Sequence, residues 1–125
     1  MKRVCLSLLC VLCTSAFAES YEDRVASVLR ETPLIDGHND IPWAIRNRVN
    51  NQLDHIDLSA DLTLLENPTH TDIPRLRRGQ VGGQFWSVYV PIREYGGTAV
   101  QVQQVIEQID LVHRMVERYA DTFEL

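Results

Sequence analysis

Three kinds of apolar pattern follow one another along the chain. From Val4 to Cys13 the apolar residues are nearly continuous, with Lys2 and Arg3 in front and Ala16-Phe17-Ala18 behind. Next, Val25, Val28 and Leu29 recur at helical spacing behind Ser20-Tyr21-Glu22-Asp23. There Ser20 suits an N-cap, and the acidic residues suit the positive end of the helix dipole. Thr32-Pro33 ends this helix, because a residue before proline is pushed out of helical geometry. The stretch Pro33-Leu34-Ile35-Asp36-Gly37-His38-Asn39-Asp40 then reads as a strand that runs into polar residues. Ile41, Ile45 and Val49 recur every four positions, which predicts a helix over about 42–50.

Positions 50–69 are polar and read as a long connection with one turn of helix around Leu62–Leu65. Thr71-Asp72-Ile73-Pro74 looks like a capped start of a short helix that Gly79 closes. From Val81 to Val90 apolar or small residues occupy both alternating faces, as in a strand buried on both sides of a parallel sheet. Gly82 and Gly83 suit a place where another backbone or a bound group comes close. Glu94-Tyr95-Gly96-Gly97 is a turn, and Thr98-Ala99-Val100-Gln101 fits a capping box. The helix that follows should run to about Tyr119 with Val105, Ile109, Val112 and Val116 as its inward stripe and Ile106 beside it. The order strand, helix, strand, helix argues for an α/β fold with parallel pairing. Two such strands cannot cover their own edges, and a third would begin near Thr122-Phe123-Glu124-Leu125, so a piece of a larger domain is expected.

Composition adds a compartment. Residues 1–18 have the basic start, short apolar run and small-residue end of a secretory signal peptide cleaved after Ala18. The run is shorter than the roughly 20 residues a membrane-spanning helix takes, so no membrane span is expected. Cys5, Cys10 and Cys13 all lie within it, which leaves residues 19–125 without a disulfide framework. The expected location is secreted, either periplasmic or extracellular. Residues 19–125 carry 10 Lys and Arg against 17 Asp and Glu, a net charge of −7. That surface disfavours nucleic acid and anionic membranes. Its one basic cluster, Arg75, Arg77 and Arg78, reads as a solvated helix face.

The candidate chemistry sits where the first strand ends. Alternation along a strand would turn Asp36, His38 and Asp40 the same way, and imidazole nitrogen and carboxylate oxygen are both good zinc ligands. Two ligands make half a site, because a catalytic metal needs at least three protein groups and an open position. The competing reading is a polar turn in which Asn39 or Asp40 caps the next helix, with Pro42 in its first turn. His-x-Asp recurs at His55-Ile56-Asp57 and His70-Thr71-Asp72, but neither follows an apolar run. Trp43, just past the candidate ligands, either lines a substrate pocket or is simply packed. His113 is given no role.

Three segments together resemble a known family. Pro33 to Trp43, Thr69 to Gly79 and Val81 to Tyr89 resemble, in order and spacing, the N-terminal part of the membrane dipeptidase (renal dipeptidase) family of zinc metallopeptidases, and Gln108 to Met115 looks like its next segment. The resemblance implies a (β/α)8 TIM-like barrel, of which this chain would be an incomplete N-terminal part. It implies hydrolysis of dipeptides with two zinc ions in the complete enzyme, His38 and Asp40 as the first two metal ligands, and Trp43 as a substrate-binding residue. A bridging glutamate, two later histidines and the contacts to the substrate carboxylate would follow Leu125. A chain lacking them is expected to be inactive alone, while the full-length enzyme could form a homodimer. An alternative from another class is an exported, non-catalytic metal-binding module that uses all three His-x-Asp triplets. A different barrel hydrolase with His-x-Asp on its first strand would share the metal chemistry, but the Gly82-Gly83-Gln84-Phe85-Trp86-Ser87 segment argues against it.

Overall fold

The computed structural model describes residues 19–91 and 99–125. The expected signal peptide at 1–18, the expected turn at 94–97 and the Thr98 end of the capping box lie outside the described residues. The first helix, α1, spans Tyr21–Glu31; the Ser20 side chain accepts from the Asp23 N–H, as the acidic first turn suggests, and Thr32 caps the far end. Two strands follow the expected order, β1 (Leu34–Asn39) and β2 (Val81–Trp86), paired in parallel. Between them lie α2 (Ile41–Val49) and α3 (Ile73–Arg78), and after them α4 (Ala99–Arg118). The architecture is mixed α/β with a small parallel sheet.

The glycines of β2 explain how the strands come so close. A Cβ on Gly82 would lie 2.4 Å from the Pro33 Cβ, and one on Gly83 would lie 2.7 Å from the Ile35 Cδ1. The Pro33 ring therefore leaves no room for a side chain at Gly82, while at Gly83 the end of Ile35 would have to move. β2 is shorter than its apolar run, because the ladder ends at Trp86 and Ser87–Val90 continue outside the strand.

The register also corrects the simple alternation expected of β1. Asp36 pairs with Gln84 and Asn39 with Trp86, so β1 carries one extra residue between these pairs. Such a bulge resets which way successive side chains face. Asp36 and Asn39 are half-buried while His38 is exposed, and Asp40 has left the strand to become the cap residue of α2.

One cluster forms the core: Ile41 and Ile45 from α2, Leu53, Ile56, Leu58 and Leu62 from the connection, Ile73 from α3, and Leu111, Met115 and Tyr119 from α4 and its end. The connection read as polar thus supplies four core side chains and two single turns of 3-10 helix, Leu53–His55 and Leu62–Leu64. Its apolar residues are spaced three, two and four apart, which matches neither the helix nor the strand period. Hydrogen bonds fasten it in place. The Leu58 N–H donates to the Tyr119 hydroxyl at 2.9 Å, and the Ile73 N–H donates to the Leu58 carbonyl at 2.8 Å.

In α4 the inward stripe is rotated from the expected one. Gln101, Gln108, Leu111, Val112 and Met115 are buried, while Ile106 and Ile109 are exposed. The glutamines are inward because they hold backbone: Gln108 donates to the Tyr89 carbonyl and Gln101 to that of Pro91. Arg46 of α2 meets Glu107 of α4 at 2.6 Å and locks the two helices. The β-branched stripe centred on Ile106 is left facing solvent, as are Ile35 and Phe85 of the sheet, at 59%, 58% and 66% exposure. Gly79 differs from expectation in a smaller way. It caps α3 in right-handed geometry, and the left-handed residue is the following Gln80, at φ 52°.

Candidate metal centre

The end of β1 and the start of α2 bring two ligand types together. The His38 Nε2 lies 3.1 Å from the Asp40 Oδ2, and both side chains are more than half exposed. They border an open groove of about 520 Å³ whose other walls include Ile41, Arg48 and the Pro68–Thr71 segment. The His38 imidazole beside Asp40 holds its carboxyl below the usual range; the Ser87 hydroxyl adds to this, and slight burial opposes it. A carboxylate that stays ionised and an imidazole at its side form a donor set suited to zinc.

The two atoms are hydrogen-bonded to each other, and an ion bound by both would replace that bond. Asp36 borders the same groove, but its carboxylate is turned back on its own strand and accepts from the His38 N–H at 3.2 Å. Among the described residues no three His, Cys, Asp or Glu side chains converge as a metal cluster. His38 and Asp40 are thus the two candidate donors that meet at this end of β1, and Asp36 does not join them.

The other His-x-Asp triplets have different fates. His70 is exposed on the groove rim, but Asp72 is wholly buried and accepts from the N–H groups of Leu62 and Arg75 and from the Arg75 Nε. Its carboxylate is committed to capping α3 and pairing Arg75. His55 lies apart, in a groove bordered by Arg114, Glu117 and Arg118, and Asp57 accepts from both the backbone and the hydroxyl of Ser59. Trp43 is half-buried and packs edge-to-face on Tyr89, ring centroids 6.2 Å apart, rather than bordering the groove of His38 and Asp40. His113 is exposed.

Residues 22–125 match the family described as membrane dipeptidase (peptidase family M19). The chain belongs to that family. Membrane dipeptidases are zinc metallopeptidases, so the relationship is to peptidases and to hydrolytic metal chemistry. In this membrane dipeptidase chain the residues around His38 and Asp40 that the sequence left without a role are Thr71, Gln84, Ser87 and Arg48. Arg48 donates to the Asn67 and Pro68 carbonyls and so holds the groove's far wall. All but Arg48 lie inside the motifs that carry the family pattern, yet only the strand register shows which of them meet.

Proposed function

We propose that this chain supplies the first part of a (β/α)8 barrel in a secreted, zinc-dependent dipeptidase, and that His38 and Asp40 are its first two metal ligands. The observation that carries the reading is the convergence of His38 Nε2 and Asp40 Oδ2 at the carboxyl end of a parallel strand, the end where such barrels build their sites. Support for the barrel comes from the exposed apolar positions on the sheet and on α4, which further strands and helices would cover. Support for export comes from the pattern of residues 1–18. Among the described residues, no helix is long and apolar enough to cross a membrane.

Bound there, zinc supplies polarisation of the scissile carbonyl and a water acidic enough to attack at neutral pH. The residues of this segment hold two coordination positions, keep one carboxylate ionised and leave the groove open for a dipeptide. Trp43, on the first turn of α2, is assigned to the substrate site on the family resemblance alone, since it packs on Tyr89 outside that groove. Among the described residues only these two donors meet, so residues 19–125 are inactive alone and catalysis requires further ligands from the rest of the barrel. The non-catalytic metal-buffer alternative needs three comparable triplets. The burial and full bonding of Asp72 weigh against it.

The test is zinc stoichiometry and dipeptide hydrolysis by the full-length enzyme and by residues 19–125. The full-length enzyme is expected to lose both metal and activity in His38→Ala, and residues 19–125 are expected to hydrolyse nothing. Hydrolysis by the short chain, or equal loss of zinc on mutating His55, overturns the reading.

A further inference from the structure

We infer that Asn39, beyond its contact with the helix start, is the positioning residue that fixes the two ligands on either side of it. The inference rests on the zinc reading above. The Asn39 Nδ2 donates to the Thr71 Oγ1 at 2.8 Å and to the Gln84 Oε1 at 3.2 Å, and its Oδ1 accepts from the Ile41 N–H at 3.0 Å. An amide offers two donors and one carbonyl oxygen, so the whole group is engaged. Its main-chain carbonyl also accepts from the Ser87 N–H at 2.9 Å. These partners come from the segment before α3, from β2 and its continuation, and from the first turn of α2.

That convergence matters because of where it occurs. The bulge between Asp36 and Asn39 interrupts regular pairing just where His38 must be aimed, and Asp40 has already left extended geometry, at φ −91° and ψ 20°. Strand alternation cannot hold two ligands across such a break. The Asn39 carboxamide does so instead, pinned to the buried Thr71 on one side and to Gln84 on the other. Gln84 in turn donates to the Asp36 carbonyl at 3.3 Å, which ties the start of the bulge to the same network. Neither Asn39 nor Thr71 takes a coordination position; each acts through the ligands.

The experiment uses the full-length enzyme. Zinc affinity is measured by competition with a chromophoric chelator, the absorption spectrum is recorded with cobalt in place of zinc, and the thermal midpoint is taken without metal. The variants are Asn39→Ala, Thr71→Val, the double variant and His38→Ala. Loss of a residue that orients ligands weakens metal binding by about 10- to 100-fold. The expected result is that weakening in Asn39→Ala, a smaller one in Thr71→Val, and a double variant no weaker than Asn39→Ala alone, since one network is broken once. The cobalt spectrum of Asn39→Ala should shift. Unchanged zinc affinity and cobalt spectrum, with only a lower metal-free midpoint, overturn the inference, and Thr71→Val decides it if Asn39→Ala fails to fold. Equal zinc binding by the wild type and His38→Ala overturns the zinc reading itself, a distinguishable result that removes the inference with it.

Discussion

Replacing Asp72 by alanine should be among the most damaging single changes in this segment. Its side chain is fully buried, and its two oxygens accept from the Leu62 N–H at 3.0 Å, the Arg75 N–H at 2.8 Å and the Arg75 Nε at 2.8 Å. Alanine leaves two backbone donors and a guanidinium without their acceptor. An unsatisfied buried donor costs about 1–3 kcal/mol, and breaking a buried ion pair costs about 3–5 kcal/mol. Arg75 is one quarter exposed, so water recovers part of the loss, and about 3 kcal/mol is the reasonable expectation. At roughly 2–4 °C per kcal/mol for a domain of more than about 100 residues, the melting midpoint should fall by about 6–12 °C. Circular dichroism at increasing temperature reads it, with Asp54→Ala as the control, because Asp54 is exposed in its pair with Arg118. A midpoint for Asp72→Ala no lower than that of Asp54→Ala would refute the reasoning.

Other expectations follow from the same structure. Gly82→Ala should destabilise by about 1–3 kcal/mol, because its Cβ meets the rigid Pro33 ring, and more than Gly83→Ala, whose Cβ meets the movable end of Ile35; paired denaturant titrations check the order. Gln80→Gly relieves a left-handed backbone at φ 52° and should raise stability by up to about 1 kcal/mol, read as a higher urea midpoint with an unchanged slope. Asp40 has a depressed folded pKa, so its contribution to stability is present above the ordinary carboxylate value of 3.8 and is lost as pH falls through the folded value. The stability difference between wild type and Asp40→Asn should therefore shrink on acidification through that range, and a difference that grows instead contradicts the assignment.

Much of this architecture was legible because periodicity and capping agree with the final packing. Ser20 and Asp72 cap the helices they were expected to cap, and Ile41 and Ile45 of the four-residue repeat are core residues. The glycine pair of β2 marked a close approach, and the approaching group is Pro33 and Ile35. What misled was burial supplied by other elements. Apolar spacing along α4 points to Val105, Ile109, Val112 and Val116, yet the side facing the core also carries Gln101 and Gln108, which bond the backbone after β2. The connection's Leu53, Ile56, Leu58 and Leu62 pack although no period announces them. At the candidate site, His38 and Asp40 meet as expected, but not by strand alternation. A bulge that no residue spacing predicts lies between Asp36 and Asn39, and Asp40 meets His38 from the cap of α2 rather than from the strand.

The central claim is that His38 and Asp40 share one zinc ion. Crystals of the full-length enzyme with zinc, measured at the zinc absorption edge, test it most directly. The account predicts an anomalous peak about 2.0–2.2 Å from both the His38 Nε2 and an Asp40 carboxylate oxygen. A zinc peak on His55 or His70 with none between His38 and Asp40 would contradict it.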